Sequence, residues 1–423
     1  MTPNPRSTAP WAHLGASLIC GLAALPAAAQ TSPWYVGAAQ SFTHESNVFR
    51  LGRGAITPAD VSRSDTISTT SLLAGLDQPI SRQRVYATAA LRASRFQDNP
   101  RLDNQGYSLD AGVDWQTVQR LSGRVSLGAN QTLARFTSGN VLSGVETRRN
   151  IENNLSFDTI VRLGLVTRWT AEAGFGHRRV RYSDVAYDFR EYDQDSLSAG
   201  LRWRPSSSAS IGVGLRQTDG TYPRFGRTAG GNFVADRFKR RDLDLSGNWT
   251  PGGASSVDAR LSLGQTDYDV ASERNLSGLT GSIGWNWQPT GKLRLRTQLS
   301  RDDGQESYFL NQGFVNGVGD YSRSTTALRV RADLELTGKI GSYAALTYSD
   351  RALSSSITPV GGTRVVERGH DRGTNLELGA TWAPTRNTQV ACNLGRESRN
   401  GDGRLAAPLT SNTFGCSGQI LLR

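Results

Sequence analysis

Between Leu328 and Leu336 every second residue is apolar: Leu328, Val330, Ala332, Leu334 and Leu336 alternate with Arg329, Arg331, Asp333 and Glu335. In an extended chain this period of two puts the apolar set on one face and the charged set on the other. The window is therefore a strand with one apolar and one charged face. The same period recurs in Leu197-Ala199-Leu201-Trp203 against Arg202 and Arg204, and in Leu293-Leu295 against Arg294 and Arg296. Leu243-Leu245 alternates with Asp242 and Asp244, Leu261-Leu263 brackets Ser262 after Arg260, and Leu109-Ala111-Val113-Trp115 alternates with Asp110 and Asp114.

The chain has 423 residues, a formal charge of +11, 46 glycines and no apolar run beyond its first 29 residues long enough for a spanning helix. Such a helix needs about 20 consecutive apolar residues. A soluble sandwich and a transmembrane barrel remain, and the strand ends separate them. The triplet Trp-x-Pro ends four strands, at Trp203-Arg204-Pro205, Trp249-Thr250-Pro251, Trp287-Gln288-Pro289 and Trp382-Ala383-Pro384. Proline cannot donate to a strand ladder and marks the strand's end. Tryptophan before it suits the headgroup layer of a bilayer, so Trp115, Trp203, Trp249, Trp287 and Trp382 are expected to form an aromatic girdle.

Short turns near 78–83, 117–122, 161–166, 204–209, 250–255, 288–292, 337–341 and 384–387 alternate with longer Gly/Asp/Arg-rich segments near 50–66, 97–105, 137–148, 182–194, 219–238, 268–275, 303–323, 353–371 and 398–411. Seventeen connections give eighteen strands. A weak boundary at Val161 to Trp169 leaves sixteen as the alternative count. The expected fold is all-β: an antiparallel transmembrane barrel with brief periplasmic turns, longer outer loops and both termini on the periplasmic side. An Arg facing mid-bilayer lipid costs roughly 2–4 kcal/mol, so Arg202, Arg204, Arg294, Arg296, Arg329 and Arg331 are expected to line the lumen.

Residues 1–29 read as a signal peptide: Arg6, an apolar run from Leu14 to Leu25, then Pro26-Ala27-Ala28-Ala29. Residues 30–423 then form the barrel domain, in the outer membrane. Cys392 and Cys416 are the two cysteines beyond the signal. Centring the last loop near Arg404 places them opposite each other, so a disulfide across this hairpin is expected in an oxidising compartment. Nucleic acid is excluded as a partner by export and by the scattered arginines.

No cofactor, metal or enzymatic role is read from the chain. His44, His177 and His370 lack the spacing of H-E-x-x-H or paired-His motifs, and no G-x-S-x-G occurs around a nucleophile. The acidic, tyrosine-bearing segment Tyr182 to Asp195 lacks the D-x-[DN]-x-[DN]-G calcium pattern. It and the basic, aromatic 219–238 segment are the candidate sugar-contacting loops, with His370 placed in a loop as well.

The run Val36-Gly37-Ala38, continued by Phe42-Thr43-His44-Glu45-Ser46-Asn47-Val48-Phe49-Arg50-Leu51, resembles the opening of the EpsL-type outer-membrane barrels of bacterial exopolysaccharide biosynthesis. Leu76 to Arg84, Leu102-Asp103-Asn104-Gln105-Gly106-Tyr107 and the strand of Cys416 are similar too. The closing Ile420-Leu421-Leu422-Arg423 departs from the terminal aromatic of many outer-membrane barrels. The resemblance implies export of a polysaccharide with periplasmic and outer-membrane machinery, the outer-membrane lipid being the surrounding medium. The arginine-containing lumen would be its passage. The rival expectations are a general porin for small anionic solutes and a structural or adhesive surface barrel with a plugged lumen.

Overall fold

The computed structural model describes residues 32–134, 136, 147–166, 168–227, 231–303, 322–357, 365–401 and 408–423. The segment expected to be a signal peptide lies outside them. Eighteen antiparallel strands are present among the described residues. They are β1 (Trp34–Glu45), β2 (Asp65–Ile80), β3 (Gln83–Phe96), β4 (Asn104–Gln116), β5 (Leu121–Leu133) and β6 (Ile151–Val166). There follow β7 (Trp169–Tyr182), β8 (Tyr192–Ser206), β9 (Ala209–Arg227), β10 (Phe233–Trp249), β11 (Ser255–Tyr268) and β12 (Leu276–Trp287). The last six are β13 (Leu293–Asp302), β14 (Ser322–Thr337), β15 (Ile340–Ile357), β16 (Val365–Trp382), β17 (Thr388–Gly401) and β18 (Leu409–Leu422).

Each strand pairs with its sequence neighbours, and β1 also pairs with β18 from Val36↔Leu422 to Glu45↔Thr413. The sheet is therefore a closed ring without an edge, which is what a β-structure needs in a medium that cannot hydrogen-bond to it. The alternation decides the faces. Leu72, Leu91, Leu197, Leu215, Leu263, Leu394 and Ile420 are among the apolar side chains left exposed around the outside. Arg84, Asp114, Arg202, Asp244, Arg296 and Arg331 occupy the opposite phase and face the interior. The molecule is a transmembrane barrel, and eighteen strands leave room for an aqueous lumen.

All eight tryptophans of the described residues lie at the short-turn end. Trp169 and Trp203 stack across β7 and β8 with ring centroids 6.1 Å apart, and Trp285 and Trp287 stack at 5.4 Å. Trp249 and Trp382 remain more than half exposed on the outer surface. Trp115 stands over Gly123 of β5, where a Cβ would fall 2.5 Å from the indole.

Three expected boundaries move. The turn placed near 161–166 lies at 166–169, because Val161 and Leu163 continue the outward apolar phase of β6. The 219–238 segment is mostly strand: β9 runs to Arg227 and β10 begins at Phe233. The 353–371 segment likewise belongs largely to β15 and β16, so His370 is a strand residue. These stretches carry charge on both faces and show no apolar phase, yet their backbones continue the ladder beyond the apolar band.

Candidate functional site: the inner wall

Four of the six arginines expected in the lumen meet on β13 and β14. Their registers place Arg296 opposite Arg331, Arg294 opposite Asp333 and Arg329 opposite Gln298. Asp333 accepts from Arg331 Nε at 2.9 Å and lies 3.7 Å from Arg296. The Arg331 guanidinium lies 3.9 Å from the Tyr343 ring centroid. Tyr343 can lie flat on the wall because its neighbour on β16 is Gly379, where a Cβ would fall 2.2 Å from the ring. Its hydroxyl donates to Glu377. With Glu335 and Glu377 included, four arginines face three carboxylates, so this sector is positive.

Arg202 lies apart, in a belt that crosses β2 to β8 near the short-turn end. Arg202 Nε donates to Glu172 at 2.9 Å, and Arg162 also approaches Glu172 at 3.3 Å. Along the same belt Arg124 bonds to Asp114 at 2.5 Å, and Arg84 bonds to Asp77 at 2.6 Å. Here cation and anion alternate from β2 to β5 and again from β6 to β8, with Arg124 and Arg162 on adjacent strands between. Arg204 sits past the last regular pair, Trp203↔Ile211, at the exposed rim by the β8–β9 turn.

A third cluster on β9 to β11 was not evident from sequence. Arg216 reaches Asp242 and Asp244, each at 3.1 Å, and Arg240 bonds to Asp242 at 2.8 Å. Arg260 reaches Asp244 at 3.3 Å. Arg216, Arg240 and Asp242 are almost fully buried. Burying one such charge without its partners is strongly unfavourable, so this cluster reads as fixed wall.

The outer mouth is narrowed from within. After β1 the chain turns at Arg50, whose φ is +56°. Phe49 then packs beside Phe96, Leu102 and Phe136. The Arg50 guanidinium forms a two-pronged pair with Glu397 of β17. Around Glu397, Arg399 approaches Asp371, which Arg351 holds through Nε at 2.7 Å. The Asn47 amide bonds to Leu51 O at 2.9 Å and to Thr410 O at 3.2 Å. The β1–β2 loop thus lies on inward-facing residues from β17 round to β3. Asp65 fastens it to the next loop, accepting from Asp98 N at 3.1 Å, Asn99 N at 2.9 Å and Asn99 Nδ2 at 2.7 Å.

Asp103 closes that next loop. Burial raises its pKa, but bonds from Phe96 N at 2.8 Å and Arg95 at 2.9 Å outweigh it and hold the carboxyl below its ordinary range. Farther round the mouth, Tyr222, Phe238 and Tyr268 form a buried aromatic group, with the Arg274 guanidinium 4.6 Å from the Tyr268 ring and 4.8 Å from that of Tyr222. The aromatic residues of the 219–238 segment are therefore partly consumed in packing. In the acidic segment, Asp188 pairs with Arg224 at 3.1 Å and Glu191 accepts from Tyr182 N at 2.9 Å.

The three histidines of the described residues lie on the outer surface. His44 Nδ1 bonds with Thr66 Oγ1 at 3.1 Å, His177 Nδ1 with Asp195 at 2.8 Å and His370 Nε2 with Asp350 at 2.7 Å. Cys392 and Cys416 are paired in register and joined by a disulfide. Among the described residues no group of three His, Cys, Asp or Glu side chains is placed to hold a metal ion.

No family model matches the chain, and no curated protein matches it. Solved structures do align with it. The outer membrane protein OpdK from Pseudomonas aeruginosa is 11% identical, with 92% of this chain and 99% of that one covered and a TM-score of 0.46. OccK3 (OpdO) from the same organism is 12% identical over 92% and 96%, with a TM-score of 0.48. OccAB4 from Acinetobacter baumannii is 10% identical over 93% and 99%, with a TM-score of 0.46. Superpositions this loose carry no functional argument, and none of these comparisons supports the exopolysaccharide resemblance.

Proposed function

We propose that the barrel lies in an outer membrane with its long loops outward and passes small anionic solutes by passive diffusion. The observation that carries this reading is the β13–β14 sector. Arg294, Arg296, Arg329 and Arg331 share one stretch of inner wall with fewer carboxylates, and Arg296 keeps 44% of its side chain exposed. Such a surface raises the local concentration of anions. The belt on β2 to β8 also holds four arginines and three carboxylates, but there every arginine is engaged in an ion pair.

The inturned β1–β2 loop favours small solutes over a polymer, because Phe49 and Arg50 occupy part of the outer mouth. An exopolysaccharide conduit with partner machinery rests on the residue resemblance alone. Of the residues that carry it, Asn47 to Leu51, Leu102 and Asp103 build this mouth, and none lies in the positive sector. Single-channel recording of the purified barrel in planar bilayers tests the proposal. A steady, anion-preferring conductance is expected. A barrel that stays closed, or one that prefers cations, would remove it.

A further inference from the structure

The outer surface carries a second positive region that no solute in the lumen can reach. On β16 the outward residues Trp382, Leu378 and Leu376 give way, toward the loop end, to Thr374, Arg372, His370 and Arg368. On β17, Val390 and Leu394 are followed by Arg396, and on β15 Leu346 and Tyr348 by Asp350. The register sets Arg396 opposite Leu376, and Arg372 opposite both Asp350 and Asn400. The cations thus begin where the hydrocarbon-facing residues stop.

The charges here are not balanced. His370 lies 2.7 Å and Arg372 3.3 Å from the single carboxylate Asp350. No ion pair to Arg368 or Arg396 is found among the described residues. The corresponding band on β7 and β8 is matched: Arg179 and Arg181 hold Asp193, and His177 holds Asp195. Arg368, His370 and Arg372 alternate along one face, about 6.6 Å apart by strand geometry. Arg372 and His370 keep 64% and 48% of their side chains exposed.

We infer that this face of β15 to β17 binds the phosphorylated headgroup of an outer-leaflet lipid, its acyl chains lying along Leu376, Leu378 and Leu394. Two features select a lipid over a free anion: the cations adjoin an unbroken apolar surface, and they point away from the lumen. Arginine matches phosphate oxygens with paired donors. The inference rests on the proposed orientation, with this end of the barrel in the outer leaflet.

The test is titration of the folded barrel in detergent with bisphosphorylated lipid A, read by native mass spectrometry. Dephosphorylated lipid A serves as control and inorganic phosphate as competitor. The combined Arg368→Gln, Arg372→Gln and Arg396→Gln variant is expected to bind at least ten-fold more weakly while conducting as the parent does. The lumen pair Arg296→Gln and Arg331→Gln should bind lipid normally. If the triple variant does not fold, Arg396→Gln alone is expected to weaken binding about three-fold. Unchanged lipid binding in these variants would overturn the inference. So would equal binding of the dephosphorylated lipid or displacement by millimolar phosphate. Cysteine labelling of the long loops on intact cells reports orientation separately, so the failure of that premise is distinguishable from failure of the site.

Discussion

Replacing Arg296 and Arg331 by glutamine would turn the β13–β14 sector from one net positive charge to one net negative. An ion passing roughly 8 Å from the wall through water feels about 0.5 kcal/mol per unit charge. In ~10 mM salt the Debye length is about 30 Å, which leaves about 0.4 kcal/mol. The two-charge change is then worth about 0.8 kcal/mol for each ion and of opposite sign for anion and cation, a factor of about four in each and about fifteen in the anion-to-cation permeability ratio. The assay is the reversal potential across a planar bilayer with a salt gradient, repeated near 1 M salt. There the Debye length is about 3 Å and the difference should nearly vanish. A ratio unchanged at low salt, or a shift that persists at high salt, would refute the argument that this sector faces the ion path as fixed charge.

Gly379→Ala should displace the Tyr343 ring and its stacking with Arg331, giving noisier current and a changed conductance with little loss of barrel stability. Thermal unfolding and single-channel recording on one preparation would check both halves. Arg50→Ala should free the β1–β2 loop and raise conductance at unchanged ion preference; unchanged conductance would show that this loop does not limit flow. Asp65→Ala leaves three donors without their acceptor, at about 1–3 kcal/mol each where they are buried, and should make residues 46–64 and 97–103 more sensitive to protease. Because the folded Asp103 pKa is depressed, its clamp is complete above the ordinary carboxylate pKa of about 3.9 and is lost as pH falls through the lower folded value. Loop protection should therefore persist to about pH 4 and fall below it, with Asp103→Asn abolishing the step.

The strand count and the facing of each side chain were legible wherever one phase of the period is apolar. Leu328 to Leu336 is such a window, and so is Leu197 to Trp203. The Cys392–Cys416 register was legible because a single hairpin connection joins the two strands and centring it near Arg404 sets them opposite each other. Legibility failed where both phases are polar. From Asp236 to Asp242 the inward acids pair within the wall, while Arg237, Lys239 and Arg241 face outward beyond the apolar band. No periodic signal survives before Asp242, and the 219–238 segment reads as a loop. The site was legible in part: Arg294, Arg296, Arg329 and Arg331 were singled out, but their assembly into one sector depends on the β13–β14 register. The Arg50–Glu397 pair lies 347 residues apart in sequence and follows only from closure of the ring. The Arg84–Asp77 and Arg162–Glu172 pairs could have been found by extending the alternation through the short turns.

The bridge between Cys392 and Cys416 sits level with Phe42 of β1, on the face that carries Val390, Leu394, Phe414 and Ile420. A water-borne oxidant has no access to sulfur atoms sunk in acyl chains. Bond formation therefore belongs to a time before insertion, when both thiols are still in an aqueous compartment. The final two strands reach the bilayer already stapled, and the strand that must meet β1 to complete the cylinder arrives with its alignment set.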